Sequence, residues 1–286
     1  MNRPILLATC EEWSELHPDD RGIIDVLAQR GITALPAVWN DPNVQWHTAA
    51  AVVLRSTWDY TRNREAFLRW LDGLSCPLFN PSDVVRWNTD KVYLSVLGDA
   101  GLPVTPTVYL KPGEAVFETL GGEHVVVKPS VSAGSQDTIR LRANDRSAIE
   151  SHVAGIHAQG KTAMIQPYLD AVDGEGETAL LFFGGVFSHA IRKGPLLREV
   201  GRLATDGLFA AEAIEARTPS DAEKQLGARV LEALPFETPL YARVDLIPGP
   251  EGAPMILEVE LTEPSLFFEF SAGSHERYVD ALVTRL

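Results

Sequence analysis

The chain has 286 residues, 45% of them hydrophobic, and a formal net charge of −14. This length and apolar content suffice for two or three packed lobes, while the negative charge argues against nucleic acid or an anionic membrane as a partner. Cys10 and Cys76 show no metal or redox spacing, and no apolar segment reaches 18 residues. We therefore expect a reduced, cytoplasmic protein whose anionic ligands are held by local clusters of bases.

Residues 1–88 predict a small α/β lobe. Its expected elements are the strands Pro4–Thr9, Ile32–Trp39 and Thr48–Leu54 and the helix Asp19–Arg30. Continuous apolar runs of this kind are typical of a parallel sheet. Arg55 and Asp59 follow the last strand, at the sheet edge where ligands gather in open α/β sheets, so they are candidate substrate contacts. Alternatively, Trp58 and Tyr60 in the same motif simply cap the core.

Residues 89–165 predict a second lobe with a phosphate-binding flap. Lys91 lies in the first turn of an expected helix, Asn88–Ala100, and Lys128 ends the apolar strand His124–Pro129. The small-residue loop Ser130–Asp137 then lets backbone N–H groups approach phosphate oxygens closely. A solvated Lys91 and an ordinary flexible hairpin are the alternatives. Strand, lysine, small loop and strand together favour a flap over a triphosphate.

Residues 166–286 predict a third lobe. The apolar segment Met164–Leu169 offers a wall for a flat base such as adenine, and Glu177 could accept hydrogen bonds from ribose hydroxyls. Core packing and an ordinary strand-edge charge are the alternatives for these residues. Lys193 ends another predicted strand, and the glycine-containing polar segment Gly194–Asp206 would suit a mobile lid.

An acidic hairpin closes this lobe. Two apolar runs, Tyr241–Ile247 and Met255–Leu261, flank a Pro/Gly-rich turn, and residue numbers across an antiparallel ladder sum to a constant. Arg243 would therefore face Glu260, and Asp245 would face Glu258, on one side of the hairpin. Close carboxylates lose protons unequally or recruit a cation, and oxygen ligands suit Mg²⁺. The alternative is a solvated strand face with surface ion pairs.

Taken together, these motifs resemble the ATP-grasp superfamily over roughly residues 88 to 268. The motifs RSTWDY, WNTDK, SHAIRK and EVELTEPSLFF further resemble its glutathione synthetase/RimK-like branch and, within that branch, D-cycloserine synthetase-like proteins. The resemblance implies an α/β fold in which an N-terminal substrate lobe (1–88) precedes two α+β lobes (89–165 and 166–286) that clasp ATP.

The resemblance also implies residue roles. The implied ATP-binding residues are Lys91, Lys128, Ser132, Gly134, Ser135, Gln166, Tyr168, Leu169, Glu177 and Lys193. The implied metal ligands are Asp245, Glu258 and Glu260, which would hold one or two Mg²⁺ ions or Mn²⁺. Arg243 and Lys193 would be catalytic, and Arg55, Asp59 and Arg243 would contact substrate. Many ATP-grasp ligases carry Asn where Glu260 stands, and Glu-Pro-Ser replaces their usual glycine-containing turn.

The function that these residues predict is ATP-dependent, ADP-forming ligation of a carboxylate and an amine. The reaction would proceed through an acyl phosphate on a small amino-acid-like substrate. The alternatives are an intramolecular cyclo-ligase and a non-catalytic ATP-binding regulator. Partners would be ATP and a small molecule, with homo-oligomerisation left open by the sequence.

Overall fold

A computed structural model describes residues 3–117, 121–195, 200–202 and 213–286. Within these ranges the strands form three sheets, one of four strands and two of five. The first sheet is parallel and the other two are antiparallel, which matches the predicted combination of an α/β lobe with α+β lobes. No helix in the described ranges is both long enough and apolar enough to cross a membrane.

The N-terminal sheet is built from short parallel strands. Its elements are β1 (Ile5–Thr9), α1 (Pro18–Gln29), β2 (Ala34–Val38), β3 (Ala51–Leu54), α2 (Arg64–Asp72) and β4 (Leu78–Phe79). The strand order is β2-β1-β3-β4, and β1 and β3 are buried at every position. Burial on both faces explains why these two strands are apolar at every position except Thr9 instead of alternating.

The middle sheet carries the flap hairpin. Its elements, with the helices before it, are α3 (Ser82–Asn88), α4 (Tyr93–Asp99), β5 (Val108–Leu110), β6 (His124–Pro129), β7 (Ile139–Arg142), α5 (Arg146–His157) and β8 (Ala163–Pro167). β6 pairs antiparallel with both β7 and β8. The apolar face of α5 packs against this sheet through Ile149, Val153 and Ile156. The loop between β6 and β7 is thereby anchored at both ends.

The C-terminal sheet carries the acidic hairpin. The elements of this part are α6 (Val172–Glu175), β9 (Glu177–Phe183), β10 (Val186–Lys193), β11 (Gly201–Arg202), β12 (Ile214–Arg217), α7 (Asp221–Glu232), β13 (Tyr241–Pro248), β14 (Pro254–Glu260) and α8 (Ser274–Val283). The strand order is β12-β10-β9-β13-β14, while β11 joins the middle sheet beside β7. A capping box between Ser220 and Glu223 begins α7.

Buried polar side chains attach the hairpin to the N-terminal half of the chain. Asn80 donates to the backbone oxygens of Tyr241 and Leu261 at 3.0 and 2.8 Å. Asn88 donates to Val259 O at 2.7 Å and accepts from the Leu261 N–H at 2.7 Å. These bonds satisfy buried groups on both partners, so they fix where the acidic face points.

Some predicted boundaries were wrong. The predicted helix Asn88–Ala100 begins only at Tyr93, as α4, while Asn88 is the last residue of α3, so Lys91 lies between two helices instead of in a first helical turn. The Asn88 side chain bonds β14 at this point. The predicted lid, Gly194–Asp206, lies largely outside the described residues. The lobe boundaries at 88 and 165 stay a prediction.

Candidate active site

One cavity of about 660 Å³ draws its walls from all three parts of the chain. Trp58 and Tyr60 come from the segment after β3, Lys128 comes from the end of β6, and Lys193 comes from the end of β10. The acidic hairpin, β13 and β14, forms one side of the cavity. Residues far apart in sequence thus meet in a space large enough for a small-molecule ligand.

The hairpin register is the one predicted. Arg243 lies opposite Glu260, and Asp245 lies opposite Glu258. Arg243 donates from Nε to Asp245 Oδ1 at 2.8 Å and from Nη2 to Asp245 Oδ2 at 3.0 Å, and it also pairs with Glu260. A β-bulge follows Asp245, because Leu246 pairs with Ile256.

Lys193 completes the charge cluster on this face. Its Nζ lies 2.5 Å from Asp245 Oδ2 and 3.7 Å from Glu177. Burial alone would raise the pKa of Asp245, but Arg243 and Lys193 outweigh burial and hold that pKa at about 2. Asp245 is therefore ionised at any physiological pH, with two buried cations bonded to it.

Glu260 has the opposite balance. Burial raises the pKa of this carboxyl to about 7; Arg243 opposes the shift, and Glu258 and Asp245 reinforce it. Burial and the neighbouring carboxylates thus disfavour the charged form of Glu260, and an additional cation bound here would favour it.

Two further lysines face the cavity beside the flap. Lys91 Nζ donates to Ser132 O at 2.6 Å and lies 3.1 Å from Glu258. Burial lowers the pKa of Lys128; the nearby Glu258 opposes this shift, and Lys91 reinforces it. These two ammonium groups share one neighbouring carboxylate, Glu258, and a polyphosphate bound beside them would add further negative charge to stabilise both.

The flap loop and the base-side segment also line the cavity. The flap contributes Ser132, Gly134 and Ser135, and the backbone φ values of Gly134 and Ser135 are 60° and 59°. The base-side segment contributes Gln166, Tyr168, Leu169 and Glu177. All of the residues predicted to surround ATP therefore line one space.

The side chains of that base-side segment are already held. Gln166 donates to Thr107 Oγ1 at 2.9 Å. The guanidinium carbon of Arg140 lies 3.5 Å from the centre of the Tyr168 ring. Such contacts fix the orientation of a wall before any ligand binds.

Comparison with known proteins identifies the family. The chain is 38% identical over 271 residues to the cycloserine biosynthesis protein DcsG of Streptomyces lavendulae, covering 90% of each chain. The family model for the N-terminal domain of D-cycloserine synthetase DcsG matches residues 5–80. The chain belongs to the DcsG family. It is therefore an ATP-dependent, ADP-forming C–N ligase, as the motifs predicted.

Solved structures agree with this DcsG assignment. The crystal structure of D-cycloserine synthetase DcsG aligns with a TM-score of 0.89 and 34% identity, covering 98% of this chain and 99% of that one. D-alanine–D-alanine ligase from Bacillus anthracis, complexed with ATP, aligns with a TM-score of 0.67 and 16% identity, covering 99% and 97%. A RimK-domain ATP-grasp protein from Sphaerobacter thermophilus aligns with a TM-score of 0.68 and 20% identity, covering 98% of each chain. These neighbours confirm the ATP-grasp fold.

The carboxylate oxygens of this DcsG-family site suit magnesium chemically, but they do not form a complete coordination site. In the described ranges, no three His, Cys, Asp or Glu side chains surround a common point where a metal ion would sit. The carboxylate oxygens of Asp245 accept hydrogen bonds from Arg243 and Lys193. The side chains of Glu258 and Glu260, in contrast, are 24% and 27% exposed. Oxygen-only ligands and clustered carboxylates fit Mg²⁺.

Two predicted substrate contacts do not reach the cavity. Arg55 is completely buried and donates to Asp20 Oδ1 from Nε at 3.0 Å and from Nη2 at 2.7 Å. Asp59 accepts a hydrogen bond from Trp39 Nε1 at 2.7 Å. Neither lines the cavity, so nothing in their position supports contact with substrate, and that role stays a prediction. Their neighbours Trp58 and Tyr60 do line it.

The sequence does not predict a role for Glu263, which is among several further residues of the cavity wall. Glu263, three residues after β14, is 7% exposed and lines the cavity. The signal in the sequence is the Glu-Pro-Ser segment shortly after the acidic strand, where related ligases have a glycine-containing turn.

Proposed function

We propose that this enzyme closes a ring by joining a carboxylate and an amine of one amino-acid-like molecule, yielding D-cycloserine. The observation that carries the proposal is the 38% identity to DcsG over 90% of both chains. Hydrolysis of the amide-type ring bond of cycloserine would give a linear amino acid, O-amino-serine. Closing that bond is therefore the intramolecular form of carboxylate–amine ligation.

Lysines and the flap would hold the triphosphate of ATP. Lys91, Lys128 and Lys193 line the same cavity as the small flap residues. Burial lowers the pKa of Lys128, and the nearby charge of Lys91 lowers it further. A bound phosphate would raise this pKa again by supplying negative charge. Gln166, Tyr168, Leu169 and Glu177 would surround the adenosine.

Asp245, Glu258 and Glu260 would hold one or two Mg²⁺ ions. The support for this assignment is the oxygen-only donor set and the raised pKa of Glu260, whose largest cause is burial. When bound, the metal would neutralise phosphate charge during transfer. Arg243 lies on the same face and would stabilise negative charge on the substrate side.

The chemistry then needs positioning more than a protein nucleophile. The terminal phosphoryl group passes from ATP to a carboxylate oxygen of the substrate, giving ADP and an acyl phosphate. The amine attacks the acyl carbon, a C–N bond forms, and the C–O bond to phosphate breaks with phosphate taking the electron pair. The nitrogen loses a proton. The enzyme contributes alignment and fixed charges.

ADP release with one organic substrate tests the proposal. We expect O-amino-D-serine or an N-substituted derivative to stimulate ADP release with no amine added, and mass spectrometry to show the cyclic product. A requirement for a second amine would refute ring closure while leaving the ligase assignment intact. ATP binding without substrate-stimulated ADP release would instead indicate a regulator.

A further inference from the structure

Glu263 is a buried acid in the wall of the cavity. It lies three residues beyond the end of β14, and its side chain hydrogen-bonds the Tyr60 side chain. Trp58 and Tyr60 line the same region. None of these three residues belongs to the phosphate-binding set described above.

The backbone that carries Glu263 is held on both sides. Trp58 Nε1 donates to Glu263 O at 2.8 Å, and Arg55 Nη2 donates to Pro264 O at 2.9 Å. Arg243 Nη1 donates to Ser265 O at 3.1 Å. Three successive carbonyl groups are therefore held by side chains, so the backbone that carries the Glu263 side chain is fixed before a ligand arrives.

The charge environment of Glu263 differs from that of the other deeply buried acid in the cavity. Asp245 is 2% exposed and bonds two cations, Arg243 and Lys193. Glu263 forms no ion pair with any cation in the described part of the chain. Burial raises its pKa to about 8; Glu260 reinforces this shift and Lys91 opposes it. Among the residues that the structure describes, this buried position therefore has no cationic partner within ion-pair distance.

A buried carboxyl without a cation is costly to ionise, and that cost is recovered when a cation enters the same desolvated space. An amino-acid substrate brings a cation, its ammonium group. The other acids at this end, Asp19 and Glu269, are more exposed, so water screens them more strongly.

We infer that Glu263 is a specificity-determining residue that pairs with the protonated amino group of the amino-acid substrate. The hydrogen bond with Tyr60 holds the carboxyl in place for this pairing. The inference rests on the proposed function, because it takes the substrate to be an amino acid. This pairing would let the enzyme distinguish amino acids from ligands without an amino group, because such a ligand leaves the buried carboxyl of Glu263 without a cation.

The test compares two rings that differ only in the amino group. D-cycloserine carries it, and isoxazolidin-3-one lacks it. Binding of each to the full chain is measured by calorimetry in the presence of ADP and Mg²⁺. We expect wild type to favour D-cycloserine, and Glu263→Gln to weaken D-cycloserine binding by about 10- to 100-fold. Binding of the amino-free ring should change little.

Glu237→Gln is the matched control, because Glu237 is exposed and lies outside the cavity. It should leave both affinities unchanged. ADP affinity and circular dichroism of Glu263→Gln check that the variant is folded. Should it fail to fold, the wild-type comparison still decides, since equal affinity for the two rings would overturn the inference.

The outcomes separate the inference from the proposed function. If wild type binds D-cycloserine and Glu263→Gln binds it equally well, Glu263 does not read the amino group, while the ring-closure proposal stands. If kcat falls in Glu263→Gln with D-cycloserine affinity unchanged, Glu263 acts in proton transfer and the inference is wrong. If wild type binds neither ring, the proposed product and the inference both fail.

Discussion

Replacing Asp245 by Asn should both destabilise the protein and abolish ligation. The substitution keeps the side-chain shape but removes the negative charge that faces Arg243 and Lys193. These two residues are only 5% and 7% exposed, so water cannot replace the lost carboxylate. The two buried cations would then lose the acid that they share and would keep Glu260 and Glu177 as acidic neighbours.

The magnitude follows from the pKa of Asp245. Arg243 and Lys193 outweigh the effect of burial and hold this pKa at about 2, against an ordinary value of 3.8. That difference corresponds to roughly 2.5 kcal/mol of unfolding free energy at pH 7. Because the folded-state pKa is depressed, the stabilisation is present above pH 3.8 and is lost as the pH falls toward 2.

Urea unfolding of wild type and Asp245→Asn at several pH values provides the assay. We expect the variant to lose roughly 2 to 4 kcal/mol at pH 7, with the gap closing below pH 3.8. Asp99→Asn is the matched control, since Asp99 is an exposed residue at the end of α4. Equal stability of wild type and Asp245→Asn at pH 7 would refute the charge-cluster argument, and retained ADP release would refute the assigned role.

Three further predictions concern other groups. Arg55→Met should cost roughly 3 to 5 kcal/mol in urea unfolding, because Asp20 loses its buried partner; a loss under 1 kcal/mol would contradict this. Lys128→Met should leave ligand-free stability equal or higher but weaken ADP binding by roughly 10-fold or more in calorimetry; unchanged affinity would remove Lys128 from the site. Between pH 4.5 and 8, Glu263→Gln should become more stable relative to wild type, by at most about 1.4 kcal/mol per pH unit. Burial raises the pKa of Glu263 in the folded wild type to about 8, so the cost of folding with an ionised Glu263 grows as the pH rises through this range. A pH-independent difference would show that Glu263 titrates normally.

The acidic hairpin shows what local sequence can predict. Strand pairing obeys a numerical rule, so two apolar runs around a turn were enough to place Arg243 opposite Glu260 and Asp245 opposite Glu258. The bulge after Asp245 did not disturb these pairs, because they lie on the other side of it from the turn.

Long-range contacts were harder to predict. Arg55 follows a strand as a ligand-binding residue would, but its ion-pair partner, Asp20, lies on α1, and it also donates to the oxygen of Pro264. Asn88 is predicted to begin a helix, yet it ends α3 and its amide bonds a strand more than a hundred residues later. No periodicity in the sequence encodes such pairings, so the sequence could not predict them.

Two consecutive residues of β14 face away from the core where a regular strand would present only one. Ile256 and Val259 are buried in the core, while the intervening Leu257 and Glu258 both line the cavity. The β-bulge thus places the aliphatic side chain of Leu257 next to the carboxylate of Glu258. This arrangement matches a ligand that is flat and apolar at one end and highly charged at the other. Deleting one residue between 255 and 258 would restore even alternation and force these two neighbours onto opposite sides of the sheet.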